Sequence, residues 1–183
     1  MIRNILNLVI LFLFIFVSFS CEKSRNKHNQ VVKQGVKQKD IKEEIEELNR
    51  YWLVQESKLI DDYIKNNALN VVRTGTGLRY QIYNQGDGVL IKEGDIVTLE
   101  YEVSLLNGDL IYSSKTDGYK TFLVGRGGVE SGLEEGILKL CKNSVATLII
   151  PAHLAHGLIG DGNKVPSRAT LVYKLKVIDK IEK

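Results

Sequence analysis

Only two cysteines and one tryptophan occur in the 183 residues. If the first cysteine, Cys21, is modified as argued below, Cys141 has no partner and no disulfide forms within a monomer. Cys141 lies in the apolar stretch GILKLCKN with no base beside it, so it reads as a small core residue, not a reactive thiol. Charge of one sign is also scarce. Lys and Arg number 25 against 22 Asp and Glu, a net of +3 spread along the chain. The basic residues alternate with acidic ones and form no aromatic-studded stripe, which argues against nucleic acid as a partner. Long apolar runs are missing too. The run LVILFLFIFV, at 8–17, rises only about 15 Å as a helix, about half the hydrocarbon core of a bilayer. What is present is ordinary for a globular protein: 44% apolar and 26% charged residues, with Tyr outnumbering Phe eight to five. The length suits one domain with extra segments, not two domains.

Those extra segments come first. Arg3 precedes the apolar run, and a basic start followed by a segment of that length is a secretory signal, here 1–20. It ends in Ser18-Phe19-Ser20-Cys21, followed at once by polar EKSRNKHNQ. This resembles a lipoprotein signal, in which the Cys thiol receives a diacylglyceryl group and becomes the new N-terminus. Ser18 stands where Leu is usual. An ordinary cleaved signal and a short uncleaved anchor are the alternatives. Each puts the folded part outside the cytoplasm, and lipidation would hold it to a membrane of the cell envelope, facing the periplasm. Residues 21–39 are polar and read as a flexible tether.

A helical arm is expected over 40–77. Asp40 is the expected N-cap, with Glu43 completing a capping-box-like start. Ile41, Ile45, Leu48, Trp52, Leu59 and Tyr63 recur at three- and four-residue steps, interrupted at Gln55 and Glu56. Asn66 and Asn67 mark the stop. The helix at 40–67 either packs on its own domain or pairs with a second copy as a homodimer.

From residue 70 onward the pattern is strand and turn. LRYQIY lies between glycines, and DIVTLEYEVSLLNGDLIYSS reads as two strands around a Leu106-Asn107-Gly108-Asp109 turn. YKTFLVG, a glycine-rich link, a short helix near 133–140, VATLIIP, a long loop and TLVYKLKVIDKI follow. Many strands with one short helix and no βαβ alternation argue an antiparallel α+β domain. Gly125 to Gly132 lacks the Lys-Ser/Thr and the parallel setting of a phosphate-binding loop, so its glycines read as turns. His153 and His156 have no further ligand at metal spacing, and Asp161-Gly-Asn-Lys lacks the oxygens of a calcium loop.

Three stretches, in order over about a hundred residues, resemble the FK506-binding (FKBP) family of peptidyl-prolyl isomerases. They are Asp95 to Tyr101 with Gly108 to Ser114; Phe122-Leu-Val-Gly125, Val129 and Gly132-Leu-Glu-Glu-Gly136; and Ile150-Pro-Ala-His-Leu-Ala155-His-Gly157 with Val165-Pro166 and Ala169 to Tyr173. The resemblance implies that residues 78–183 form a five- to six-stranded antiparallel sheet wrapped around one short helix, with a substrate cleft between them. The helical arm, the lipidated start and Ile111-Tyr112-Ser113 together resemble a gliding-motility-associated lipoprotein branch.

The implied activity is isomerisation of Xaa-Pro bonds in proline-containing client polypeptides, with no metal or cofactor. The resemblance carries catalytic positions onto Tyr101, Phe122, His156 and Tyr173. Substrate-binding positions fall on Ile111, Tyr112, Val129, Glu130, Leu133 and Val165, with the Glu130 N–H meeting a substrate carbonyl. The sequence departs from the family where Leu133 replaces a floor Trp, Tyr112 replaces an acidic residue, His156 replaces a rim tyrosine and Glu130 replaces an Ile. These departures imply weak macrolide binding and reduced turnover. The alternative function is a non-catalytic chaperone or assembly factor using the same cleft.

Overall fold

The computed structural model describes the chain from residue 25 to residue 182, with side chains from residue 40 onward. The expected signal and Cys21 lie outside the described residues. Two compact units divide the chain, Met1–Trp52 and Leu53–Lys183.

Helix α1 spans Arg25–Asn66. It begins well before Asp40, which is therefore an interior residue and not the expected N-cap. It also takes in most of the segment read as a flexible tether. The physical reason lies in composition. Residues 25–39 hold no proline and one glycine, and Lys, Gln and Arg propagate an existing helix cheaply. The helix stops at the Asn66-Asn67 pair as expected, where the Asn67 N–H and side chain both donate to the Tyr63 carbonyl. Among the described residues, no helix is long and apolar enough to cross a membrane.

Strands β1 (Val72–Arg73), β2 (Arg79–Asn84), β3 (Ile96–Leu105), β4 (Leu110–Ser113), β5 (Lys120–Leu123), β6 (Val145–Ile150) and β7 (Leu171–Ile181) form one antiparallel sheet. Its order is β1-β2-β6-β7-β3-β4, and β5 also pairs with β3. Residues 102–104 of β3 pair with β4, and residues 96–99 pair with β5. The chain leaves this edge between the two as the single helical turn α2 (Ser114–Asp117). The β3–β4 link is the expected Asn107-Gly108 turn. Gly108 has φ +94°, a conformation that suits glycine, and the Leu105 N–H donates to the Asp109 carbonyl at 3.0 Å.

Alternation along the strands sorts side chains onto two faces. Val97, Leu99, Tyr101 and Val103 of β3 are buried in the main core, with Leu148 and Ile150 of β6 and Leu171, Tyr173 and Leu175 of β7. Helix α3 (Ser131–Ile137) lies on this face. It approaches closely because Gly132 and Gly136 face β6: an added Cβ would stand 2.4 Å from Ile150 Cγ2 and 2.4 Å from Leu148 Cδ1. Ile149 and Val172 point the other way and form a second cluster with Ile60, beside Tyr63 and Ile64.

The last turns of α1 thus belong to the same compact unit as the sheet. The polar break at Gln55 and Glu56 is where this docking begins. The Glu56 carboxylate accepts from the Ala152 N–H at 2.6 Å and the Thr170 hydroxyl at 2.7 Å. The buried Arg79 guanidinium donates to Ser57 at 2.9 Å and Asp61 at 3.3 Å. Leu59, by contrast, is exposed, so the expected stripe does not act as one face.

Candidate active site

Tyr101 on β3 and Tyr173 on β7 face the same side of the sheet. Val103 is the direct partner of Tyr173, and Tyr101 that of Leu175, so the two tyrosines are diagonal neighbours. Their ring centroids stand 6.2 Å apart with planes tilted by 33°. Leu133, fixed by the close seat of α3, is fully buried in the same cluster, with Ile111, Phe122 and Val165. Val129 and Tyr112 are half-buried and pack against it. The structure therefore gathers the apolar positions expected at the cleft into one contiguous group.

The polar residues of the site are less conventional. Lys120, at the start of β5, puts its Nζ 5.3 Å from the Tyr101 ring centre and 5.5 Å from that of Tyr173. It donates to the Tyr173 hydroxyl at 3.1 Å. The Tyr173 hydroxyl donates in turn to Glu130 Oε1 at 2.7 Å. His156 Nε2 stands 3.3 Å from the same oxygen. Glu130 Oε2 lies 3.8 Å from Lys120, and the Glu130 side chain is only 8% exposed. Burial first, and the Glu130 carboxylate second, push the Tyr173 phenol far above its ordinary value, so it remains a donor. The Tyr101 phenol is raised too, by burial and then by the charges of Asp117 and Glu130.

Lys120 is the residue that sequence reasoning missed. Lys120 and Phe122 are two apart on one strand and share a face, but the strand is four residues long and its alternation too short to stand out. Glu130 was expected to act through its backbone. Among the described residues, its N–H is not taken up by the turn bonds around it, while its carbonyl receives the Leu133 and Glu134 N–H groups that open α3. The side chain reaching back to Tyr173 was not foreseen.

The carboxylate missing at Tyr112 is supplied from another loop. Asp161 Oδ2 accepts a hydrogen bond from the Tyr112 hydroxyl. Its Oδ1 accepts the backbone N–H groups of Asn163 and Val165, each at 2.8 Å. Burial works to raise the Asp161 carboxyl, but these bonds and the nearby His156 outweigh it and hold it at about 2. Lys164 closes the junction, donating to the Ile111 carbonyl at 2.9 Å with its Nζ 4.8 Å from the Tyr112 ring centre. His153, three residues from His156, is engaged elsewhere, at 2.9 Å from the Thr76 carbonyl. Cys141 is buried, as its apolar context suggested.

Comparison with known proteins agrees with this geometry. Residues 88–178 match the FKBP-type peptidyl-prolyl cis-trans isomerase family. The probable FKBP-type peptidyl-prolyl cis-trans isomerase FkpA of Neisseria meningitidis serogroup B is 39% identical over 63% of this chain and 43% of its own length. FK506-binding protein 2 of Dictyostelium discoideum is 36% identical over 49% of this chain and 68% of its own. The chain spans under half the length of the Neisseria protein and 16% of human FKBP9. Among solved structures, FkpA from Escherichia coli aligns with a TM-score of 0.63 at 25% identity, covering 98% of this chain and 82% of that one. The fold, the gathered cleft positions and these matches place the chain in one family: it belongs to the FKBP-type peptidyl-prolyl cis-trans isomerases.

Proposed function

We propose that this chain catalyses cis–trans isomerisation of Xaa-Pro bonds in client polypeptides. The observation that carries the reading is the Tyr101–Tyr173 ring pair beside the buried Leu133, in one cluster with Ile111, Phe122 and Val165. An Xaa-Pro bond rotates over a barrier of about 20 kcal/mol, so uncatalysed exchange takes tens of seconds. At the top of that barrier the amide is twisted and has lost its resonance. The reaction needs no nucleophile, only a site that favours the twisted form over the planar one. Apolar walls do this, and the Glu130 N–H and His156 are the donors for flanking carbonyls. The test is exchange of a proline tetrapeptide on the folded protein. Catalysis is expected, and Tyr101→Ala should lower kcat/KM by about tenfold with the fold retained. Exchange no faster than the uncatalysed rate sinks the reading.

A second reading, chaperone binding through the same cleft, draws support from the departures at Leu133 and Tyr112. Suppression of aggregation that survives Tyr101→Ala would favour it.

The finer placement is envelope-bound. The leader at 8–17 and Cys21 support lipid attachment facing the periplasm, and the helical segment with Ile111-Tyr112-Ser113 supports the gliding-motility-associated branch. Mass analysis of the mature N-terminus decides the first point: an acylated Cys21 is expected, and any other N-terminus overturns it. The exposed residues Ile41, Ile45, Leu48 and Trp52 support pairing with a second copy.

A further inference from the structure

The loop from β6 to β7 carries two neighbouring apolar side chains that the core does not use. Leu158 is 61% exposed and Ile159 86%. They stand between two anchors, and each anchor touches a residue expected at the cleft. On one side, His156 Nε2 lies 3.3 Å from Glu130 Oε1. On the other, Asp161 accepts from the Tyr112 hydroxyl and from the Asn163 and Val165 N–H groups. A chain advances at most about 3.5 Å per residue, so Leu158 and Ile159 each lie within about 7 Å of an anchor, measured between backbones. The pair therefore stands at the mouth of the cleft.

The backbone fixes it there. The Gly157 N–H donates to the Ala152 carbonyl at 2.8 Å, and the Gly157 carbonyl accepts from the Arg168 N–H at 2.9 Å. Gly160 has φ +78°, and a Cβ added to it would stand 2.1 Å from the Val165 carbonyl oxygen. Only glycine fits that turn. Apolar side chains carried on a loop that is already hydrogen-bonded lose little backbone freedom when a ligand covers them. A single exposed apolar residue needs no explanation, but position matters here. A polypeptide whose proline sits in the cleft has to leave it, and the loop at the mouth offers that departing chain apolar surface.

Resting on the isomerase reading above, we propose that Leu158 and Ile159 form an apolar lip that binds the segment of an unfolded client chain flanking the proline. The lip selects clients with Leu, Ile or Phe in that segment. It acts on affinity and leaves the rotating bond to the cleft.

The experiment is a series of proline peptides on the whole folded protein, each extended at one end or the other by Leu- and Phe-rich residues or by Ser- and Gly-rich ones. At one end, the apolar extension is expected to raise kcat/KM about tenfold over the polar extension, through KM. The double variant Leu158→Ser, Ile159→Ser should remove that advantage. Val89 and Leu90 are exposed apolar neighbours outside this loop, at 70% and 50%. Val89→Ser with Leu90→Ser should therefore keep the advantage. An independent readout needs no variant: NMR titration with the apolar-extended peptide should shift the Leu158 and Ile159 methyl signals, and titration with the polar-extended peptide should leave them in place. A lip that serves a second copy or a lipid surface instead would turn over both extensions equally. That result, or an advantage that persists in the Leu158→Ser, Ile159→Ser variant, overturns the lip and leaves the isomerase reading standing. Turnover of no peptide overturns both.

Discussion

Tyr173 ties the apolar and polar halves of the site together. Its ring packs on Tyr101, and its hydroxyl stands between Lys120 and Glu130. Burial and the neighbouring carboxylate hold the phenol far above its ordinary value, so its hydroxyl serves as a donor to Glu130. Tyr173→Phe keeps the ring and removes that link. Glu130 Oε1 then retains only His156, and Lys120 keeps only its 3.8 Å ion pair with Glu130 Oε2. Taking a hydrogen-bond partner from such buried groups costs about 1–3 kcal/mol. The urea midpoint should fall accordingly, with an unchanged slope. A midpoint equal to the wild type would mean that water replaces the hydroxyl at no cost. Gly132 makes a contrasting case, where the absent side chain is what counts. An added Cβ would meet Ile150 Cγ2 at 2.4 Å and the Leu154 carbonyl at 3.2 Å. Ala is the better helix former by about 1 kcal/mol, yet Gly132→Ala is expected to destabilise by about 1–3 kcal/mol through overpacking. Thermal denaturation checks the sign, since a gain in melting temperature would mean that α3 can lift off β6 freely.

At the scale of elements, the loop from β6 to β7 is held to β4 by Asp161. The sign of its pH dependence follows from its carboxyl, which lies at about 2 in the fold and near 3.8 when free. A carboxyl lowered by folding stabilises fully above its free value, and that contribution is lost as pH falls towards the folded value. The loop should therefore loosen between about pH 4 and pH 2. Hydrogen exchange at the Asn163 and Val165 amides should accelerate in that window, and Asp161→Ala should show the acid behaviour at neutral pH. Exchange rates that ignore Asp161→Ala would assign the loop's order to other contacts. These elements differed in how far the sequence disclosed them. The β3–β4 hairpin was legible because Asn107-Gly108 is flanked by alternating apolar residues. The start of α1 was not, because Lys-, Gln- and Asn-rich segments support tether and helix alike. The apolar wall of the site was legible through residue types that recur in order. Its polar lining was not: Lys120 sits in a four-residue strand too short to display its alternation, and where the Glu130 side chain turns depends on Tyr173, forty-three positions away. Asp161 reaching Tyr112 is likewise a contact between distant segments, and nothing local announces it.

For the whole molecule, the N-terminal part of α1 carries exposed apolar residues. Ile41, Ile45, Leu48 and Trp52 follow one another at steps of four, three and four, the spacing of a helix–helix seam, and each is 44–53% exposed. Lone exposed apolar residues are ordinary, whereas a row along one helix is the feature from which we propose pairing with another helix. Charged residues flank the row as far as Arg50, and beside Trp52 the apolar residues Tyr51, Leu53 and Val54 are exposed as well. A second copy is the occupant to test first, because an identical helix offers the same apolar spacing in return. Sedimentation of the soluble chain should give a dimer at micromolar concentration, and Ile45→Glu with Leu48→Glu should give a monomer. Those two substitutions lie outside the compact unit that holds Tyr101 and Tyr173. Turnover of a short proline peptide should therefore be unchanged, while refolding of a long client, which can engage two clefts at once, should slow. A wild-type chain that sediments as a monomer at these concentrations would remove the dimer, and with it any expected difference between short and long substrates.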